Sequence, residues 1–417
     1  MRHRSWLTTV VLALAGWWAP TPATADELRL DDLVTQIRAR NPSAAAAVRR
    51  VEAARIAVPR ARALPDPMLE MMLEDVPPKL SGGMPMLRFQ ATQMLPWFGK
   101  RDRMAAVAER EAEARTARAE VTMLDVVAEG TRLYYQLILN RESRRINREQ
   151  RAVIATVVEV AIARLRSGTG MHHDVLKMQT EGAMLDDTLI MIEADRREMA
   201  AMLNALLDRP AETTLPEPSA TWTPERSLTR ARVVTMALER RPELREMAAM
   251  ESAERAMAAA AKREYYPDVV LGAIYDLRMD QEDALGAIVG LNLPIWIGSR
   301  QRLDVRAAEA KARGFERDRA AMAAMARAEI ERQLARLDAS DQRGRLLDNQ
   351  FIPLAQQTLD SALAAFPSGT VDTLELLDAL RALSAQRLAR TGVRVERELA
   401  LVDLGRVTGV PVKELAR

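Results

Sequence analysis

The only histidines beyond residue 3 are His172 and His173, which adjoin Met171 and Asp174, so imidazole, thioether and carboxylate groups gather within four positions. A soft cation such as Cu(I) favours donors of this kind. Adjacent histidines on a helix also point in different directions, and a pair facing solvent or a partner is the plainer account. Methionine is frequent, with Met68, Met71, Met72, Met84, Met86 and Met94 clustered. A thioether relay for copper or silver fits that cluster, and so does ordinary apolar filling by an adaptable side chain. Cysteine is absent, which removes disulfides, thiolate metal sites, a Cys nucleophile and an N-terminal lipid anchor. There is no HExxH, no Ser-centred elbow and no phosphate loop, and the carboxylates are scattered at helical spacing. These absences argue against an enzyme, and no cofactor is implied.

The elements that must position such residues begin with a leader. Arg2 and Arg4 precede an apolar run from Trp6 to Trp18, and Ala23-Thr24-Ala25 supplies a small-x-small cleavage pattern, so residues 1–25 read as a secretory signal. No other stretch approaches the roughly 18 to 20 apolar residues that a spanning helix needs. Any membrane-embedded part would have to be made of strands. Charged residues make up 28% of the chain with a formal net charge of +2 and no basic block, which gives nucleic-acid binding no support. Only 4% of residues are aromatic, and Ala, Arg, Glu, Met and Leu dominate, a composition suited to long, thin-walled helical packing rather than a thick core.

Landmarks recur in order at an offset near 200 residues. Asn41-Pro42 matches Arg241-Pro242, and Leu64-Pro65-Asp66 matches Tyr266-Pro267-Asp268. Leu95-Pro96-Trp97-Phe98-Gly99-Lys100-Arg101 matches Leu293-Pro294-Ile295-Trp296-Ile297-Gly298-Ser299-Arg300, and Ser167-Gly168-Thr169 matches Ser368-Gly369-Thr370. Asp174, Leu176 and Asn204 find counterparts in Glu375, Leu377 and Asp403. The order predicts a duplication: a first unit over 26–207, a proline-marked linker over 208–227, and a second unit over 228–417.

Each unit predicts the same parts. A helix follows Asn41-Pro42 or Arg241-Pro242 and stops at a Pro-Asp breaker. A strand pair comes next, within about 68–95 and 268–293, where Val269, Leu271, Ala273, Tyr275 and Leu277 alternate with Gly272 and Asp276. The apolar face suits lipid and the other face a lumen. Four strands cannot close a barrel and an open edge cannot be left in lipid, so several chains must pool their strands. After Gly99 and Gly298 a helical pattern runs for some 65 residues to hairpin tips near Gly168 and Gly369, and a shorter antiparallel helix returns. The fold class is therefore mainly α with a small β part, as duplicated long helical hairpins plus four strands.

Pro-Trp-Phe-Gly-Lys-Arg at 96–101, Leu-Pro-Ile-Trp-Ile-Gly-Ser-Arg at 293–300 and Gly-Thr-Val-Asp-Thr-Leu-Glu-Leu-Leu-Asp at 369–378 resemble the strand-exit and tip sequences of the TolC family of outer-membrane efflux proteins, particularly its heavy-metal branch. The resemblance covers the chain after the leader. It implies an outer-membrane homotrimer with a twelve-stranded β-barrel set in lipid and a long periplasmic α-helical tunnel. It also implies a periplasmic adaptor and an inner-membrane RND-type pump as partners, with the tips at Gly168 and Gly369 as the adaptor contact. Glu375 and Asp378 fall where the family sets carboxylates facing the pore entrance, Asp174 is the equivalent in the first hairpin, and Phe366 stands where the family often has an aromatic. Three copies of such carboxylates would make stacked acidic rings that attract cations, whereas solvated helix charges are the plainer reading. The expected activity is passive conduction of exported solute, with Cu(I) or Ag(I) leading within a metal-or-drug class. The alternatives are a duct for organic solutes and a soluble periplasmic coiled-coil adaptor.

Overall fold

The computed structural model describes residues 27–74, 86–224, 228–278 and 282–410. The expected leader over 1–25, the expected turn over 77–83, Met84 and residues 411–417 lie outside the described residues.

Two helices neither motif nor breaker had announced open the two halves, α1 (Leu30–Arg40) and α5 (Arg230–Arg240). Each is short, and each stops one place ahead of the residue before a proline, Asn41 or Arg241, where the ring disfavours a helical conformation. The proline then starts the next helix at its first turn: α2 (Pro42–Arg62) and α6 (Pro242–Arg263). Asn41 caps α2, its Oδ1 accepting from the Ala44 amide at 3.0 Å while its Nδ2 donates to Leu206 O at 3.0 Å. The element order then runs β1 (Met68–Glu74), β2 (Met86–Leu95), α3 (Lys100–Arg166), α4 (His172–Leu206) in the first half. In the second it runs β3 (Asp268–Arg278), β4 (Ala284–Asn292), α7 (Gln301–Leu346), α8 (Ile352–Ala365), α9 (Thr373–Thr408).

The unbroken α3 has 67 residues and is about 100 Å long at the α-helical rise. Its counterpart is interrupted between α7 and α8 by a π-helical turn, Leu347–Phe351, in which the Ile352 amide reaches back to Leu347 O. The cause is local: Pro353 has no amide to donate, and its ring collides with the carbonyl four residues earlier, so the ladder slips by one residue.

The strands form one antiparallel sheet in the order β1-β2-β3-β4, so the two halves join through β2 and β3. Register sets an apolar face, which also carries Gln93, against a mixed one on which Met68, Met72, Met86, Met94, Val270, Ile274 and Ile288 stand among polar side chains. Leu69, Met71, Leu73, Leu271, Tyr275, Leu277, Leu285, Val289 and Leu291 share one face and are exposed. Glu70, Glu74, Arg88, Gln90, Thr92 and Asp276 share the other. There Arg88 ties three strands, donating to Asp276 at 2.7 Å on β3 and to Glu74 at 3.0 Å on β1. β1 and β4 each have a neighbour on one side only.

Buried apolar side chains form three clusters along the helices. One surrounds Tyr134, Tyr135, Leu33, Ile37 and Leu203, and takes in Leu215 from the linker. The linker is held there: Leu28 pairs with Glu217 and Ser219 in a parallel bridge, and buried Asn204 donates to Ala211 O at 3.1 Å and Thr213 O at 2.7 Å. A second cluster lies at the hairpin tips, and a third joins α5, α7 and α9.

Candidate functional site

The tips are built twice from Ser-Gly-Thr. Gly168 and Gly369 hold φ of 75° and 80°, the left-handed conformation that glycine adopts without strain, and so turn the chain. On either side the hydroxyls meet, Ser167 with Thr169 at 2.9 Å and Ser368 with Thr370 at 2.8 Å. Ser167 donates to Arg164 O at 3.0 Å, and Ser368 to Ala365 O at 2.8 Å.

The return helices start differently. Asp372 caps α9 by accepting the Glu375 amide at 2.8 Å, in the Asp-x-x-Glu pattern of a helix start. Its counterpart Met171 offers no cap to α4. Glu375 and Asp378 lie in the first turns of α9 with exposed side chains, where carboxylates complement the helix dipole. Asp378 has one cationic neighbour, Arg381, at 3.8 Å. Asp174 is half-buried in the first turn of α4, 3.4 Å from His173 Nε2. Met171 and His172 are exposed beside it. Among the described residues no group of three or more His, Cys, Asp or Glu side chains is placed to hold a metal ion.

Phe366 is buried, at 2% exposure, in the tip cluster with Ile154, Val157, Leu376 and Leu380. The Arg164 guanidinium lies over its ring, 5.1 Å from the centroid, and Nη1 donates to Phe366 O at 3.0 Å. Lower on the same face, Arg381 of α9 grips buried Glu181 of α4 with two hydrogen bonds, the Nε–Oε1 one at 3.0 Å. Neither Arg164, Glu181 nor Arg381 stood out in the sequence, where single charges on a helix resemble any solvated face.

At the other end, helix meets sheet through a buried lysine. Lys100 Nζ lies 2.8 Å from Asp268 and 3.1 Å from Glu264, and the Trp97 amide donates to Asp268 at 2.9 Å. All of these partners lie in or beside the two repeated strand-exit and Pro-Asp motifs. Trp97 stacks on Tyr266 and meets Phe98 edge to face, and Phe98, Ile295 and Trp296, which follow the ends of β2 and β4, are exposed. Exposed aromatics at one end of an apolar strand band are the arrangement found at membrane interfaces.

Residues 233–410 match the family model described as outer membrane efflux protein. That match lies in the half of the chain that carries β3, β4 and the second helical hairpin, which with the π-helical turn is about 100 Å long. The chain is 23% identical over 395 residues to the cobalt-zinc-cadmium resistance protein CzcC of Cupriavidus metallidurans, covering 92% of this chain and 91% of that one. In fold it is similar to the outer-membrane channel OprN, with a TM-score of 0.77, 19% identity, and 92% and 90% of the two chains covered. It is also similar to CusC, with a TM-score of 0.78, 17% identity, and 91% and 92% covered. No described helix is long and apolar enough to cross a membrane.

Proposed function

We propose that the chain is the exit duct of a tripartite efflux system. It acts as an outer-membrane homotrimer that receives solute from a periplasmic adaptor and an inner-membrane RND-type pump and conducts it passively outward. The observation that carries this reading is the open four-stranded sheet with an apolar face and two unfilled edges. Such a sheet is stable in lipid only when further copies close it, and three copies would supply twelve strands. The recurrence of element order in the two halves supports a duplication with units 26–207 and 228–417 about the linker 208–227.

The cargo we infer is heavy-metal cations. The name of the CzcC relative supports cobalt, zinc and cadmium, whereas the exposed Met171 beside His172 and His173 supports a soft ion such as Cu(I) or Ag(I). At the mouth, exposed Glu375 and Asp378 from three copies would present acidic rings. Gly168 and Gly369 would form the adaptor contact.

Deleting the gene and profiling growth on cobalt, zinc, cadmium, copper, silver and hydrophobic drugs tests the cargo. Sensitisation to one group of metals is expected, and unchanged growth on every metal would overturn the metal reading. Fractionation tests the class: the protein should enter the outer membrane as a heat-modifiable trimer, and a soluble periplasmic product would overturn it. Replacing Glu375 and Asp378 with Ala should weaken cation block of single-channel current, and unchanged block would remove them from the pore.

A further inference from the structure

Where the helices meet the sheet, the chain gathers positive charge. All four strands have an end at this edge: β2 runs out at Leu95 and β4 at Asn292, while β1 and β3 start at Met68 and Asp268. Exposed Phe98, Ile295 and Trp296 follow the strand exits, and α3 and α7 begin just beyond them, beside the ends of α2 and α6. Residues 60–68, 97–106, 261–268 and 294–306 together hold ten Lys or Arg and five Asp or Glu side chains. That is a surplus of five positive charges in one band, against +2 for the whole sequence. Two of the five acids, Glu264 and Asp268, are already engaged by buried Lys100.

Contacts within the chain do not account for this charge. Arg60, Arg103, Arg300, Arg302 and Arg306 are exposed and have no carboxylate partner among the described residues. Arg101 donates to Arg62 O at 2.9 Å, and Arg263 lies over the Tyr266 ring, 5.8 Å from its centroid, so neither is neutralised by an acid. The placement also works against the helices. Arg101 and Arg103 stand in the opening turn of α3, and Arg302 and Arg306 in the first two turns of α7, where the helix dipole is positive and carboxylates are the favoured residues. Arg302 and Arg306 are four places apart on one face, a spacing at which like charges repel. Side chains that oppose both the dipole and each other are stabilised by anions from outside the chain.

We propose that this band docks on anionic phospholipid headgroups of the periplasmic leaflet, with the exposed aromatics at the acyl boundary and the arginines on lipid phosphates. This rests on the outer-membrane reading. Guanidinium groups match phosphate oxygens with two-pronged, charge-assisted hydrogen bonds, and basic side chains close to an anionic leaflet each add to its hold on a protein. Position favours lipid over a free anion: the arginines follow within two helical turns of the aromatics, at the depth of the headgroups when the apolar strands stand in hydrocarbon. Such an attachment fixes the height at which the helical part projects from the membrane.

The test uses the full-length protein, purified in neutral detergent and titrated with phosphatidylglycerol or with zwitterionic phosphatidylethanolamine, with bound lipids counted by native mass spectrometry. The expected result is a preference for phosphatidylglycerol of about tenfold or more, which fades as ionic strength is raised. Arg103→Gln combined with Arg302→Gln and Arg306→Gln breaks no ion pair and should remove most of that preference. Removing the same charge lower on α7, with Arg327→Gln, Arg336→Gln and Arg345→Gln, should leave it unchanged. Equal retention of the two lipids by wild type, a preference that survives in the first triple variant, or equal loss in both triple variants would each overturn the proposal and leave the channel reading intact. Displacement of the lipid by excess inorganic phosphate would assign the band to a free anion and overturn the lipid assignment. The salt series needs no variant, so it decides the matter even if the first triple variant fails to fold: a preference insensitive to salt would overturn the proposal. A product recovered soluble from the periplasm would overturn the outer-membrane reading and the proposal with it.

Discussion

The two hairpins share a plan but settle their long helices by different chemistry. In the first, Asn140 and Asn147 on α3 are buried and donate to backbone carbonyls of α4, Ile192 O at 2.8 Å and Leu185 O at 3.1 Å. At the same repeat positions the second hairpin has Asp341 and Asp348. These take guanidinium partners from α9: Arg397 donates to Asp341 at 2.8 Å, and Arg390 pairs with Asp348. An amide to a backbone carbonyl is a neutral bond, while a carboxylate–guanidinium pair joins two charged side chains. A cavity of about 250 Å³, lined by Trp222, Asp341, Asp348, Arg394 and Arg397, lies between α7 and α9 beside the π-helical turn. The second hairpin is thus the one interrupted by a π-helical turn and held by ion pairs, and the first the uninterrupted one held by amides.

A sharper difference lies at equivalent leucines. Leu377 on α9 is 3% exposed because α9 packs between α3 and its own hairpin partners, whereas Leu176 on α4 is 49% exposed because α4 has α3 alone as its main partner. The largest expected effect follows. Leu377→Ala should destabilise the folded protein by about 2 to 5 kcal/mol, the range for a buried leucine, read by denaturant unfolding in detergent. Leu176→Ala should leave protomer unfolding within about 0.5 kcal/mol of wild type and act instead on trimer dissociation. Equal effects on unfolding would mean that α4 is covered within its own protomer.

The polar pairs come next. Asn147→Ala leaves the buried carbonyl of Leu185 without its side-chain partner and should cost about 1 to 3 kcal/mol. Asp348→Asn, at a half-exposed pair, should cost about 1 kcal/mol or less. Reversal of that order in unfolding experiments would break the contrast between the amide-held and the ion-paired hairpin. At the tips, Gly168→Ala and Gly369→Ala should each cost about 1 to 2 kcal/mol for a left-handed backbone. Gly369→Ala should be the worse of the two, since a Cβ at Gly168 meets nothing within 4 Å while one at Gly369 meets Arg164.

The smallest effect is on pH dependence. Burial raises the Glu243 pKa, but Arg406 at 2.6 Å and Arg241 at 3.3 Å outweigh it and hold the carboxyl below the usual glutamate range. A folded-state pKa below the unfolded one gives stability that is present above the unfolded value and lost as pH falls through the folded one. Stability should therefore decline on acidification below the ordinary glutamate range, and Glu243→Gln should flatten that decline. An unchanged slope would show that the pair with Arg406 does not form.

Much of the architecture was legible because it rests on local rules. Two-residue alternation marked the strands, Pro-Asp the ends of α2 and α6, and glycine between Ser and Thr the turns. The π-helical slip before α8 was legible in principle from Pro353, but one proline in a long helical pattern does not say whether the helix kinks, slips or stops. The short helices α1 and α5 were missed because eleven residues carry too few periods to separate from a loop. At the candidate site, the motif singled out Glu375 and Asp378 as candidates. Arg164, Glu181 and Arg381 were not, since their partners lie about 200 residues away in sequence.

By itself the sequence determined the order of the strands and long helices, the repeated motifs and the positions of both tips, because each depends on residues within a few places of one another. Tertiary structure alone decided which face of each helix is covered and that Phe366 sits under Arg164. It also decided that Lys100 joins the halves through Asp268 and that the tips of a protomer are linked by charges its repeat lacks. The physical reason is distance: burial and charge pairing act between groups the chain brings together only after its long helices pack.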